Sequence, residues 1–466
     1  MRTPSLLVLL ALTTSAAQAA PAAADLERFR SIYKELVETN TTLSAGDCTL
    51  ASRRMAARLQ AAGYPAADVH VFIPEGHPKE GGLVAVLHGT DARLKAILLL
   101  AHVDVVEAKR EDWQRDPFTL FEEDGYFYAR GTNDMKAQAA IWVDLMIRFR
   151  EETSRPRRSL KLALTCGEET SSALNGAGWL VKNARDEIDA EFAITEGVDG
   201  ELDAAGKRVD LQVLAAEKVA QNYTFEVTNK GGHSSRPVPD NAIYHLVRAV
   251  DRVSRYEFPV QFNDANRGYF RGMSKIVGGE RGAAMTAILA NPQDDAARAI
   301  LDQDTNWHAM LRTTCVATLL DAGHAENALP QRATANINCR IFPGVTGEEV
   351  RARLETVAND PAVKVSMGKV RGPTAPPAPL TDRILKPVLT VAQAMYPGVP
   401  VVPTMEPGAS DAQFLNPAGI PTYGITGMFQ DPDLGNIHGL NERVRVKSVY
   451  ESREFLYRLV QIYSKQ

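Results

Sequence analysis

Residues 98–108 read LLLAHVDVVEA, an apolar run that closes on a histidine, His102, and an aspartate, Asp104, two positions later. The run has the length and composition of a buried strand. Two more runs share its form: LKLALTCGEE at 160–169 and AEFAITEG at 190–197 are each apolar until they end on carboxylates. Between the first two lies MKAQAAIWVDLMIRFREE, 135–152, with Ala, Ile, Leu, Met and Phe at helical spacing. Strand, helix, strand in that rhythm predicts an α/β fold with a mostly parallel sheet covered on both faces.

From about Glu217 the texture changes. YTFEVTNK (223–230) and ATANINCRIF (333–342) alternate like half-exposed strands, while NAIYHLVRAVDRVSRY (241–256) and GEEVRARLETVAND (347–360) read as amphipathic helices. Two such sets predict a small α+β domain with one sheet face covered. The proline-rich GPTAPPAPL at 372–380 reads as the exit linker. Beyond it ILKPVLTVAQAMY, PVVPTMEPG and VYESREFLYRLVQIY resume the first pattern. The expected organisation is a catalytic α/β domain made of 21–216 and 373–466, interrupted by an inserted α+β lid at 217–372.

The chain opens MRTPSLLVLLALTTSAAQAAPAAADLERF, with one basic residue, an apolar core from Leu6 to Leu12, and the A-x-A sequence Ala17-Gln18-Ala19. That is the pattern of a secretory signal over 1–20, too short for a membrane anchor, and no cysteine lies beside it to carry a lipid. The expected location is periplasmic or secreted. The formal net charge is −5, becoming −6 without Arg2, and no basic block appears, which argues against a nucleic-acid partner. The cysteines Cys48, Cys166, Cys315 and Cys339 have no CxxC spacing for a thiolate metal site. Four in so long a chain are not a disulfide framework, and are expected to be free or opportunistically paired.

Residues i and i+2 of a strand share a face, so His102 and Asp104 point the same way. A carboxylate beside one imidazole nitrogen leaves the other free to face a metal. Taken singly, each residue of this kind has a bland reading. Asp134 in YARGTNDMKA would cap a helix, Glu196 in FAITEGVDG would be a solvated strand end, and His438 in GNIHGLNER would be an exposed loop residue, while LTCGEETSS ends a strand on the adjacent carboxylates Glu168 and Glu169. Together they form a set of metal-type ligands at carboxyl ends of strands and in loops, where open α/β sheets build their sites.

The series AHVDVV, RGTNDMKA, CGEE, TEG, NKGGHSSRP, NALP with NINCR, GASDAQFL and NIHGLNE resembles, in order and over nearly the whole mature chain, the co-catalytic zinc exopeptidase and deacylase family. Carboxypeptidase G-type enzymes, aminoacylase, acetylornithine deacetylase and succinyl-diaminopimelate desuccinylase belong to it. The resemblance implies two zinc ions per chain, replaceable by cobalt or manganese. One would sit on His102 and Glu196, the other on Glu169 and His438, with Asp134 bridging. Glu168 would be the general acid/base and Asp104 the partner of His102. His233 would reach across a homodimer into the partner's site and stabilise the oxyanion. Asn327 and Arg340 would contact the substrate's carboxylate, and Gly408 would line the same pocket. The implied substrate is a small peptide or an N-acyl amino acid. The residue types suit hydrolysis by a metal-activated water, with Glu168 taking its proton and passing it to the leaving nitrogen.

Two departures stand out. Ala129 occupies a position where many relatives carry glycine. The stretch 258–320 lengthens the lid and resembles the carboxypeptidase S and secreted N-acyl-amino-acid branch. Its VGGERG glycines (277–282) read as loop, since no lysine of a phosphate-binding loop follows. Two other readings stand beside the amide hydrolase: an exported metal-containing binding protein without turnover, and a di-metal hydrolase acting on esters or phosphates. Loss of Glu168 or a ligand would signal the first, and all are present.

Overall fold

Every residue of Ile97–His102 is buried, and the strand lies inside a sheet of eight. Across that sheet the order is Val69–Phe72, Gly82–Leu87, Leu160–Thr165, Ile97–His102, Phe192–Thr195, Thr422–Gly424, Leu211–Glu217 and Val401–Glu406. The four central strands, from Leu160–Thr165 to Thr422–Gly424, are mutually parallel. Gly82–Leu87 on one side and Leu211–Glu217 on the other run antiparallel to them. The computed structural model describes residues 23–152, 155–170, 174–369 and 376–466. The expected leader at 1–20 and part of the 372–380 linker lie outside the described residues.

The helix Lys136–Glu151 covers one face of this sheet. Its Ala137, Ala139, Ala140 and Trp142 are fully buried, and the Trp142 indole donates to the Leu100 carbonyl at 3.0 Å. Ala23–Val37 and Val446–Lys465 pack around it in one core. A smaller cluster with Leu98, Leu100, Ala163 and Leu180 closes the opposite face. The central strands are therefore buried on both sides, which explains their unbroken apolar runs.

The segment expected to form the lid carries a four-stranded antiparallel sheet in the order Thr314–Ala322, Arg332–Ile341, Val219–Thr228, Lys364–Met367. Alternate residues of Arg332–Ile341 are buried beneath Ala242–Ser254 and Gly347–Ala358, in a core of its own.

Residues 264–310 correct one expectation, because they do not thicken the lid. They form the helices Asp264–Val277, Gly279–Ala290, Asp295–Leu301 and Thr305–Met310, whose Phe270, Met285, Leu301 and Trp307 join the large core. The first helix packs on Val401–Glu406, the last strand of the eight. Its Gly268 and Gly272 make this possible: an added Cβ would meet Pro403 at 3.0 Å and Val402 at 3.1 Å. The insertion thus covers a sheet edge that would otherwise present unpaired backbone groups. The VGGERG glycines form the junction between two of these helices, with Gly278 and Gly279 at φ 61° and 55°.

The cysteines take the paired alternative. All four are paired, Cys48 with Cys166 and Cys315 with Cys339. The second bond links directly opposed residues of neighbouring lid strands. The first joins the start of the helix Cys48–Ala61 to the turn that follows Leu160–Thr165.

Candidate metal centre

His102 ends the central strand, and its neighbours on either side are Leu160–Thr165 and Phe192–Thr195, parallel to it. The turn carrying Glu168 and Glu169 therefore emerges on one flank of His102 and Glu196 on the other, at spacings of about 5 Å per strand. Asp134 comes from the loop just before Lys136–Glu151. His438 comes from a late loop in which Leu434, Gly435, Asn436, His438 and Asn441 all have positive φ. His438 itself is at φ 61°, a conformation that non-glycine side chains adopt at a cost and that gathers at functional sites.

These residues meet in two triads sharing one carboxylate. His102 Nε2 lies 3.2 Å from Asp134 Oδ1 and 3.4 Å from Glu196 Oε2. His438 Nε2 lies 3.1 Å from Asp134 Oδ2 and 3.0 Å from Glu169. In each triad the donor atoms all fall within 4.8 Å of one another. Two ligand atoms held tetrahedrally on one zinc ion lie about 3.4 Å apart, so the spacing suits an ion at each centre. The charges point the same way. Burial raises the affinity of Glu169 and Glu196 for protons, Glu196 to about 7, and the histidines only partly offset it. Burial and the charge of Glu196 push Glu168 well up too. Burial also opposes a charged His102, yet Glu196 and Asp134 outweigh it and raise its pKa. Donating hydrogen bonds to the Asp134 and Glu169 carboxylates raises His438 to about 10. Crowded buried carboxylates call for cations. His102 Nε2 is buried without a hydrogen-bond partner, although it faces two carboxylates. The donor set of one imidazole and two carboxylates at each centre fits a divalent metal such as zinc.

The surrounding residues hold the ligands in place. His102 Nδ1 bonds the carbonyl of Asp104 at 3.1 Å, whereas the Asp104 carboxylate, at 3.6 Å, is too far for a hydrogen bond. That carboxylate instead accepts the amides of Glu168 and Glu169, at 3.4 and 3.1 Å. Sequence reasoning missed two comparable residues. Glu442 is fully buried, pairs with Arg130 at 2.6 Å, and accepts the amides of Gly131, Asn133 and Asp134. Asp411, also buried, accepts Thr165 Oγ1 at 2.8 Å and Asn175 Nδ2 at 2.6 Å. Glu442 lies four residues after His438, the one signal that could have marked it.

The remaining expected residues are not members of the two triads. His233 is exposed on a two-stranded ribbon with Ala328, and its ring bonds Ser235. Asn327 is on the same ribbon, its carbonyl accepting the Ser234 amide at 3.0 Å. Arg340 is the penultimate residue of Arg332–Ile341, opposite Ala220 and Thr314, and its charge acts on Glu406. Gly408 follows that glutamate in the loop after Val401–Glu406 and donates its amide to Glu406 Oε1 at 3.4 Å.

A model of peptidase family M20/M25/M40 matches residues 98–462. The human N-fatty-acyl-amino acid synthase/hydrolase PM20D1 is 28% identical over 407 residues, covering 85% of this chain and 80% of the relative. A probable carboxypeptidase S-like 2 from Dictyostelium discoideum is 26% identical over 401 residues, covering 84% and 76%. Among solved structures, the M20 family metallo-carboxypeptidase Sso-CP2 from Sulfolobus solfataricus superposes with a TM-score of 0.69 at 17% identity, over 94% of this chain and 99% of that one.

Proposed function

The chain belongs to peptidase family M20/M25/M40, metal-dependent hydrolases of amide bonds, and on that premise we propose that it is a two-zinc hydrolase cleaving an amide next to an amino acid with a free carboxylate. Dipeptides, the C-terminal bonds of short peptides and N-acyl amino acids all have that group. The observation that carries the reading is the pair of triads joined at Asp134, with Glu168 beside them. His102, Asp134 and Glu196 would hold one ion and Asp134, Glu169 and His438 the other. Bound there, the ions supply Lewis acidity to the carbonyl and acidity to the attacking water. Glu168 accepts the water's proton and delivers it to the leaving nitrogen. Arg340 and Asn327 on the lid suit the substrate's carboxylate, Arg through its planar fork.

The lid supports a homodimer. Thr314–Ala322 is an edge strand whose Val316, Leu319 and Leu320 are 58, 70 and 61% exposed. The adjoining helix Ala242–Ser254 adds exposed Tyr244 and Val247. An open apolar edge of this kind invites a second strand. Export rests on the N-terminal sequence pattern, and among the described residues no helix is long and apolar enough to cross a membrane.

The test is a hydrolysis screen of dipeptides and N-acyl amino acids with zinc-loaded protein, alongside elemental analysis of dialysed protein. Two ions per chain and release of a free amino acid are expected. Binding without turnover would favour the silent binding protein, and turnover of esters alone would favour the ester hydrolase.

A further inference from the structure

We propose that the Cys48–Cys166 disulfide is a positioning device for Glu168, setting where the catalytic turn stands relative to the metal cluster. Cys166 is the first residue after Leu160–Thr165, and Glu168 follows two positions later. The intervening Gly167 has φ 92°, and a Cβ there would fall 1.8 Å from the Leu174 carbonyl oxygen. Only glycine makes this turn, so its direction is inherited from Cys166.

The partner cysteine belongs to a segment that also grips the neighbouring strand's exit. Thr41 Oγ1 donates to the Val103 carbonyl at 2.6 Å, and the Val105 amide donates to the Thr41 carbonyl at 3.4 Å. Between these two lies Asp104, whose carboxylate accepts the Glu168 and Glu169 amides. A closed circuit results, running from Thr41 through Asp104 to the Glu168 turn, then through Cys166 and Cys48 back to Thr41. The disulfide closes it across 118 residues of sequence.

Packing alone does not hold the turn. A pocket of about 190 Å³ borders it at Thr41, Cys48, Asp104, Cys166, Gly167 and Thr170 and opens to solvent past exposed Leu43, Pro78 and Lys79. Among the described residues, buried Thr170 Oγ1 has no hydrogen-bond partner. Here the turn has room to settle backward, and the covalent bond opposes that movement.

The inference rests on Glu168 being the general base, and the test keeps the two apart. Glu168→Gln is measured first, and full activity in it overturns the base assignment before any cysteine is changed. Then Cys48→Ser/Cys166→Ser is made in the full zinc-loaded chain, with and without Glu168→Gln. With Glu168 present, kcat per metal-loaded chain should fall about tenfold to a hundredfold, the scale of a small misplacement, with KM and metal content little changed. In the Glu168→Gln background, removing the bond should cost nothing further, because it acts through that residue. Unchanged kcat, or an equal loss in both backgrounds, overturns the proposal. If the double variant does not fold, native protein is reduced and alkylated at Cys48 and Cys166, verified by mass, and assayed the same way. Unfolding in that experiment also overturns it, since the bond would then hold the whole fold.

Discussion

Asp104 reaches both triads at once: its carbonyl oxygen bonds the His102 ring at 3.1 Å and its carboxylate accepts the Glu169 amide at 3.1 Å. One residue thereby orients a ligand of each proposed ion. Asp104→Asn keeps the carbonyl but replaces one of two accepting oxygens with a donor facing one of the two amides. Losses of ten- to a hundredfold in metal affinity are typical when such supporting residues change. A chelator competition titration should show a loss of that size, and wild-type affinity in Asp104→Asn would remove Asp104 from this role.

Glu168→Gln keeps the shape of the side chain and removes the proton acceptor. A fall in kcat of about 10² to 10⁴ is expected, with two ions still bound. Steady-state kinetics with elemental analysis on the same sample decides it, since loss of metal would make Glu168 a ligand instead.

The residues of the two triads stood out in the sequence for a physical reason. Parallel strands buried on both faces are apolar to their ends, so His102, the Glu168–Glu169 pair and Glu196 stand out where the runs stop. Glu442 and Asp411 were not legible because they act on backbone amides and side chains hundreds of residues away, which no local pattern records. The disulfides were hidden likewise, Cys48 and Cys166 being brought together only by the sheet. The 264–310 helices were assigned to the lid by position in the chain. Their true neighbour was signalled only by Gly268 and Gly272, four apart on one helix face, where a strand approaches closely.

Glu442 gives a stability prediction. It is fully buried, carries a charged hydrogen bond to buried Arg130, and accepts three amides of the Asp134 loop. Removing one partner of such a pair strands the other, at about 3–5 kcal/mol. Glu442→Ala should therefore shift the urea midpoint strongly and weaken metal binding at Asp134. A midpoint within error of wild type would show that the pair contributes little.

Glu217 gives a pH prediction at the crossing into the lid. Burial lifts its carboxyl from 4.5 to about 7, with Ser410's hydrogen bonds opposing only in part. Between about pH 4.5 and 7 the folded chain therefore holds a proton that the unfolded chain releases. The unfolded state binds fewer protons in that window, so this contribution to stability is present below it and declines as pH rises through it. Glu217→Gln cannot lose a proton, so its melting temperature should fall less than wild type's between pH 5 and pH 7. Parallel curves would mean that Glu217 titrates normally.

The exposed lid edge and His233 yield the last prediction together. Leu319 and Leu320 lie on an unpaired strand edge, 70 and 61% exposed, while His233 hydrogen-bonds Ser235 in its own turn rather than a ligand of its own chain's cluster. If two lids pair through Thr314–Ala322, each His233 becomes available to the other chain's site. Charge at that edge should then break the pairing. Leu319→Lys/Leu320→Lys is expected to halve the mass seen by light scattering and to lose activity while keeping both ions. Mixing inactive Glu168→Gln chains with inactive His233→Ala chains should restore activity, because a mixed dimer contains one site with an intact Glu168 served by the other chain's intact His233. Random assortment of equal amounts makes half of the dimers mixed, each with one working site, so recovery approaches a quarter of the wild-type rate. A monomer by light scattering, or no recovery after verified subunit exchange, would assign His233 to its own chain and leave the apolar edge to another partner.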